Sequence, residues 1–132
     1  MEIIIDAEGA VLGRMSTYAA KQAMQGNKII VVNCEKAIIT GNQKALLEVY
    51  LNKRTRGGTS QKGPYFSKMP ERIVRRTIRG MLPWKKTVGR EAFKRIFCYS
   101  DVPVEYSSKE KLTFKKEVRS PYMTVKELSN HI

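Results

Sequence analysis

The sequence predicts an α/β fold: a parallel sheet with a Rossmann-like half, helices on both faces and a long basic loop. Two observations near the N-terminus lead to this prediction. Short apolar runs rich in β-branched residues are typical of buried strands, and they alternate with a stretch of helical periodicity. The connection from strand through helix to strand is short, which implies a right-handed crossover between parallel strands.

The first elements follow from these patterns. Residues 3–5 and 28–33 are predicted strands, and Gly9 is a turn residue after the first of them. A helix is predicted over residues 11–25, with Gly26 as its C-terminal cap and Gly13 as a site of close packing. Its apolar stripe consists of Leu12, Met15, Ala19 and Ala23.

A third short strand, residues 37–39, precedes the second predicted helix. Thr40 and Gln43 have the spacing of a capping box, so the helix is expected to begin there and to end near Lys53. Its inward residues are predicted to be Ala45, Leu46, Val49 and Tyr50.

Residues 52–69 show no periodicity, contain glycines and a proline, and are predicted to form the long loop. Pro70 suits the first turn of a helix that Pro83 ends. Another helix is expected over residues 88–96, followed by a strand at 97–99. Its inward residues are predicted to be Val88, Ala92, Phe93 and Ile96.

The C-terminal part is predicted in two pieces. Residues 111–118 fit either a strand or an extended arm. Thr124 and Glu127 have capping-box spacing and predict a short helix. Its inward side consists of Val125, Leu128 and Ile132.

The charge is concentrated in the middle of the chain. The 132 residues carry a net charge of +13, and residues 51–100 hold fourteen basic and two acidic residues of that total. We therefore predict one domain with a neutral α/β core (residues 1–51 and 96–118), a basic RNA-binding insert (52–95) and a tail (119–132). So large an excess of positive charge favours a polyanionic partner.

Several classes of protein do not fit this composition. No apolar run is long enough to span a bilayer, and the N-terminus lacks the features of a secretory signal. Cys34 and Cys98 are expected to be reduced, partly buried thiols. With a single histidine, His131, and no CxxC pair, no Cys/His metal site is expected.

The strongest functional pattern lies in the helix that begins at Pro70. Val74, Ile78 and Met81 repeat on one side, with Ile73 and Thr77 beside them. The opposite side has four arginines at positions i, i+3, i+4 and i+7, and the guanidinium group pairs well with phosphate oxygens. Four like charges along one face are easier to explain if an anion lies among them. These residues are Arg72, Arg75, Arg76 and Arg79.

Aromatic residues accompany the basic ones. Phe66 is expected to anchor the loop on the core, whereas Tyr65 is free to stack on an unpaired base. Trp84 fits two roles equally well, stacking on RNA or filling the junction between two helices. Arg90 and Lys94, four residues apart, extend the basic surface. A membrane-binding helix is disfavoured because its apolar side is needed for the core.

Enzymatic alternatives rest on weaker patterns. Residues 8–13 follow a strand, but they lack the GxGxxG spacing, and the chain contains no P-loop. Asp6, Glu8 and Glu35 could hold Mg²⁺ in a small nuclease. A free-standing regulatory RNA-binding module is the third alternative.

Ordered motifs also resemble a known family. Residues 78–83 (IRGMLP), Gly89-Arg90 and residues 96–101 (IFCYSD), each separated by five residues, resemble the signature of large-subunit ribosomal protein thirteen. Residues 5–9, 11–14, 31–33 and 39–41 are similar to the same family. Residues 63–66 (GPYF) and the short C-terminus resemble its archaeal form.

The resemblance implies a structural, non-catalytic protein of the large ribosomal subunit that binds ribosomal RNA and aids assembly in the cytoplasm. It implies an α/β fold, RNA and neighbouring ribosomal proteins as partners, no cofactor, no metal, no membrane and no homo-oligomer. It also implies that Arg79, the turn from Gly80 to Pro83, Gly89 and Arg90 face RNA. With the residues from the charge argument, the expected RNA-binding set is Lys53, Arg54, Arg56, Lys62, Tyr65, Lys68, Arg72, Arg75, Arg76, Arg79, Gly80, Trp84, Lys85, Lys86, Gly89, Arg90 and Lys94.

Overall fold

A parallel β-sheet is the centre of the structure, a computed structural model that describes residues 1–55, 66–115 and 117–132. Two short 3-10 helices, Cys34–Lys36 and Val104–Tyr106, interrupt the connections. The other elements in chain order are β1 (Glu2–Asp6), α1 (Leu12–Met24), β2 (Lys28–Val32), β3 (Ile38–Thr40), α2 (Gln43–Thr55), α3 (Pro70–Arg79), α4 (Thr87–Lys94), β4 (Ile96–Cys98), β5 (Leu112–Thr113), β6 (Tyr122–Thr124) and α5 (Val125–His131).

The strands of the main sheet are in the order β4-β2-β1-β5, and every neighbouring pair is parallel. Ile3 lies beside Ile29, and Ile30 lies beside Phe97. The predicted α/β class and parallel pairing are therefore confirmed. The predicted third strand also forms, but β3 pairs antiparallel with β6 in a separate two-stranded sheet.

The main core lies between one face of the sheet and the helices. Ile5, Val31 and Ile96 of the sheet are fully buried against Met15 of α1 and Ile78 of α3. Each such side chain contributes about 1.5–3 kcal/mol by leaving water. Helices α3 and α4 thus share one core with the N-terminal half, although they belong to the basic stretch of the sequence.

The second face of the sheet has a smaller apolar cluster. Ile4, Ile30 and Val32 are buried there beneath Tyr106. This face is covered by the 3-10 helix Val104–Tyr106 and its flanking loop, whereas the other face is covered by α-helices.

Helices α1 and α5 match their predicted patterns. Gly26 follows α1 with a φ of +96°, as expected for a glycine just beyond a helix end. The Thr124 hydroxyl oxygen accepts a hydrogen bond of 3.2 Å from the Glu127 backbone N–H, which confirms the N-terminal cap of α5. The predicted inward residues Val125 and Leu128 are buried, and Ile132 packs against the core.

The predicted inward face of α2 was wrong in part. Leu46, Leu47 and Tyr50 pack against the core, whereas Ala45 and Val49 are exposed. The helix also does not begin with the predicted capping box, because Gly41 turns the chain at a φ of +133° just before it. The Asn42 side-chain oxygen instead accepts a 3.0 Å hydrogen bond from the Lys44 backbone.

The predicted inward face of α4 was wrong at one residue, Val88, whereas Phe93 packs against the core as predicted. Val88 is 55% exposed and Gly89 is buried in its place, while Ala92 is buried as expected. The cause is the close approach of α4 to Pro83, which only a residue without a side chain permits. Ile96 is buried too, but as the first residue of β4.

Two smaller predictions were wrong. Met81 is 43% exposed because α3 ends at Arg79 and the chain turns away after Gly80. Gly13 has open space where a Cβ would lie, so it is not a close-packing site.

No helix within the described ranges is both long and apolar enough to cross a membrane.

Candidate nucleic-acid interface

Helix α3 holds the four arginines over the edge of the core. Met69 precedes it in extended conformation, and Pro70 occupies its first turn, where a missing N–H costs nothing. Ile73, Val74 and Ile78 are buried and fix the rotation of the helix. The arginines consequently point to the opposite side, where all four line one open groove.

Arg75 is partly buried and is held in place by three contacts. Its Nε donates a 3.2 Å hydrogen bond to the Ile96 carbonyl oxygen, and its Nη2 donates one of 3.5 Å to the Phe93 carbonyl oxygen. Its Cζ lies 4.1 Å from the centre of the Phe93 ring. Arg75 thus joins α3 to the end of α4 and the start of β4.

Two further arginines lie over aromatic rings. The Cζ of Arg79 is 4.1 Å from the centre of the Trp84 ring, and that of Arg76 is 4.9 Å from the centre of the Phe66 ring. Such cation–π contacts contribute about 0.5–1 kcal/mol at exposed sites. Among the described residues, no hydrogen-bond or ring partner is seen for the Arg72 guanidinium, which is exposed.

The Trp84 ring fills the junction between two helices, which is one of the two roles predicted for it; stacking on RNA stays a prediction. It meets Phe93 edge to face, with ring centres 5.2 Å apart and planes at 80°, so it helps to close the junction between α3 and α4. It nevertheless remains 37% exposed on the groove side.

The groove has a volume of about 540 Å³. Its walls are basic and aromatic, with no acidic residue among those that form them. They consist of Ser67, Arg72, Arg75, Arg76, Arg79, Trp84 and Phe93. A smaller depression of about 280 Å³ continues from it beside Gly80 and Leu82.

The segment between α3 and α4 is braced by Arg90. Its Nε donates a 3.0 Å hydrogen bond to the Trp84 carbonyl oxygen, and its Nη2 donates one of 3.4 Å to the Lys85 carbonyl oxygen. Gly89 lies directly against Pro83: a Cβ at this position would be 2.2 Å from the Pro83 carbonyl oxygen. Arg90 and Gly89 therefore shape the turn, while Lys85, Lys86 and Lys94 extend from it into solvent.

A second group of basic residues lies at the end of α2. Arg54 Nη1 donates a 3.2 Å hydrogen bond to the Phe66 carbonyl oxygen, and Lys53 Nζ lies 4.8 Å from the centre of the Tyr50 ring. Burial raises the pKa of Tyr50 above its usual value. Phe66 packs against the core, which confirms its predicted role as an anchor.

Of the other predicted residues, one is not among the residues that line the groove and three lie outside the described part of the chain. Lys68 is exposed, and its carbonyl oxygen accepts a 2.6 Å hydrogen bond from Ser129. Arg56, Lys62 and Tyr65 lie outside the described residues.

The positions of several surface residues could not be predicted from the sequence. Ser67 lines the groove without any distinguishing pattern around it. Arg14 and Arg119, far apart in the chain, meet in another depression of about 570 Å³ that also contains Glu117. Arg95, which belongs to the basic stretch, instead donates a 2.7 Å hydrogen bond to the Ala23 carbonyl oxygen at the end of α1.

The carboxylates considered for magnesium are arranged differently. Asp6 Oδ1 accepts hydrogen bonds of 3.0 Å from the Glu8 backbone N–H and from the Asn33 side chain, so it organises the turn after β1. No cluster of three or more metal-binding side chains was found in the part of the chain that the structure describes. The two cysteines are free thiols, as predicted.

Fold and surface together define a small α/β protein that presents a basic groove with aromatic walls. The chain belongs to the family Ribosomal protein L13, whose sequence model matches residues 1–105. The resemblance seen in the motifs is thereby confirmed.

Three similar proteins, each named large ribosomal subunit protein uL13, come from archaea. The protein of Archaeoglobus fulgidus is 43% identical over 135 residues, which cover 98% of this chain and 86% of the relative. The protein of Methanocaldococcus jannaschii is 42% identical and that of Methanococcus maripaludis 44%, each over 98% of this chain and 96% of the relative. These relatives agree with the predicted archaeal type.

Proposed function

We propose that this chain is a structural constituent of the large ribosomal subunit in the cytoplasm. In this role it binds and organises large-subunit ribosomal RNA, aids assembly without catalysis, and has neighbouring ribosomal proteins as further partners. The observation that carries the RNA-binding part is the groove of α3, which four arginines line and to which no acidic side chain of the described residues contributes. The names of the similar proteins support the ribosomal part.

The contacts of the predicted RNA-binding residues suggest different roles for them. Arg72 and Arg76 are exposed and are the phosphate-binding pair in this proposal, with Lys85, Lys86 and Lys94 extending the surface. Arg75 and Arg90 each donate hydrogen bonds to two backbone carbonyl oxygens, so in this proposal they act mainly by holding the surface in shape. Gly80 and Gly89 contribute the shape of the turn.

The mechanism is electrostatic capture followed by recognition of shape. Each phosphate that is neutralised releases counterions, so the affinity should fall steeply as salt is added. A-form RNA hides its base edges in a narrow major groove, and a protein surface of this kind reads phosphate positions and local shape.

The double variant Arg72→Gln/Arg76→Gln tests the phosphate contacts. The slope of log K against log salt for a large-subunit ribosomal RNA transcript should become shallower by about 1.4–1.8, because each of the two phosphate contacts contributes roughly 0.7–0.9. Lys109→Gln is the matched control, because it removes an exposed charge near Tyr106 on the other side of the sheet. An unchanged slope in the double variant would contradict the proposal.

Co-sedimentation separates a ribosomal role from a regulatory one. In a sucrose gradient of cell extract, the protein should migrate with large subunits and move to the top when salt is high. If the protein stayed at the top at low salt while still binding the isolated transcript, a module that acts away from the ribosome would be the better explanation.

A further inference from the structure

The α3 groove has features that a phosphate-binding surface for duplex RNA does not need. A duplex presents sugars and phosphates to a protein, and the faces of its bases are covered by stacking. The groove instead combines guanidinium groups with a tryptophan ring that remains 37% exposed. Aromatic rings and guanidinium planes are the protein groups on which unpaired bases stack.

The Trp84 ring is fixed before any ligand arrives. Arg79 lies over it at 4.1 Å, and Phe93 meets it edge to face. Phe93 is covered in turn by Arg75, which is hydrogen-bonded to two carbonyl oxygens. A base that packed on this pair would meet an ordered surface, and little conformational entropy would be lost on binding.

The size and charge of the groove suit one nucleotide. Its volume of about 540 Å³ falls within the range of roughly 300–1,000 Å³ found for pockets that enclose small ligands. Arg72 and Arg76 line the same groove and are exposed, so a phosphate and a base could be bound together.

We propose that the groove of α3 binds one unpaired nucleotide, with its base against the Trp84–Arg79 pair and its phosphate between Arg72 and Arg76. This inference rests on the proposed RNA-binding function and names the RNA element that this site selects. The element is a base turned out of a helix, at a bulge or junction.

The chain contains a single tryptophan, so its fluorescence reports directly on the groove. Three RNA duplexes of equal length are compared: one with a single-adenosine bulge, one with an abasic residue in the bulge, and one fully paired. The bulged duplex should quench Trp84 and bind about 5- to 150-fold more tightly than the paired one, as expected for stacking of one base. The abasic duplex should behave like the paired one.

Two variants connect the preference with these side chains. Arg79→Lys retains the charge but loses the planar group, and Trp84→Leu removes the ring. Each should reduce the affinity for the bulged duplex to that for the paired duplex, with the paired affinity unchanged. Phe97→Leu is the matched control, because Phe97 is similarly exposed, at 39%, but lies on β4 away from the groove. Circular dichroism verifies the fold of each variant.

The outcomes separate this inference from the proposed function. If all three duplexes bind equally and Trp84 fluorescence does not change, the nucleotide site is refuted while RNA binding stands. If no duplex binds and the protein does not migrate with large subunits, the proposed function fails and the nucleotide site fails with it. The quenching experiment uses the unaltered protein, so it tests the nucleotide site even if the Trp84→Leu variant does not fold.

Discussion

Gly89 packs so closely against Pro83 that its replacement by alanine should destabilise the protein. Alanine at this position would place its Cβ 2.2 Å from the carbonyl oxygen and 2.5 Å from the carbonyl carbon of Pro83. Non-bonded heavy atoms prefer about 3.5 Å or more, so α4 would have to retreat by roughly 1 Å. The obstacle is backbone, which cannot rotate aside as a side chain can.

The cost of Gly89→Ala can be estimated from this geometry. Overpacking of this kind costs about 1–3 kcal/mol, and displacement of the hydrogen bond from Arg90 to the Trp84 carbonyl adds about 1 kcal/mol. The higher helix propensity of alanine returns up to about 1 kcal/mol. We expect a net loss of about 1–4 kcal/mol and a melting temperature lower by roughly 4–16 °C in a domain of this size.

Gly13→Ala is the matched control for this substitution. Gly13 also lies in the first turn of a helix, but a Cβ there would have no neighbour within 4 Å. Its replacement should raise the free energy of unfolding by up to about 1 kcal/mol through helix propensity alone. Thermal and urea unfolding, followed by circular dichroism, measure both variants. The reasoning is refuted if Gly89→Ala stabilises the protein as Gly13→Ala does.

Two further predictions concern stability and pH. Arg75→Lys should lower the free energy of unfolding by about 1–2 kcal/mol because it loses its carbonyl contacts and its planar stacking, whereas Arg72→Lys should change it by less than about 0.5 kcal/mol; urea titrations compare them. A hydrogen bond with Cys98 and burial raise the pKa of Cys34 well above its usual 9.0. Stability from this thiol is therefore complete below pH 9.0 and falls at higher pH, where the unfolded thiol ionises first. Cys34→Ala should show a smaller loss of stability between neutral and alkaline pH than the unaltered protein, and an equal loss would contradict this prediction.

The helices show how far apolar periodicity can be relied on. It predicted the buried faces of α1 and α5 because both helices bury a well-defined apolar stripe, and the α5 stripe also begins at an interpretable N-terminal cap, Thr124. It misplaced the inward face of α2 by one residue and misassigned one residue, Val88, of the face of α4. In α4, the contact with the Pro83 carbonyl explains why Gly89 lies on the inside at this end of the helix.

The candidate site was predictable as a surface but not as a set of contacts. The spacing of the arginines placed them on one side of α3, because Ile73, Val74 and Ile78 had to face the core. The rings that receive them come from other segments, and only tertiary structure brings Phe66 and Phe93 to that helix. For the same reason, sequence treated Arg75 and Arg72 alike, although one is hydrogen-bonded internally and the other is exposed.

These contacts alter the physical explanation of the four like charges. From sequence alone, their repulsion was best explained by a bound anion. In the structure, Arg75, Arg76 and Arg79 each lie over an aromatic ring, and Arg75 also has two carbonyl partners. Part of the repulsion is therefore offset within the protein itself, and the groove can form before RNA binds. An arginine surface assembled in advance loses less entropy on binding than one ordered by its ligand, so this offset favours affinity as well as folding.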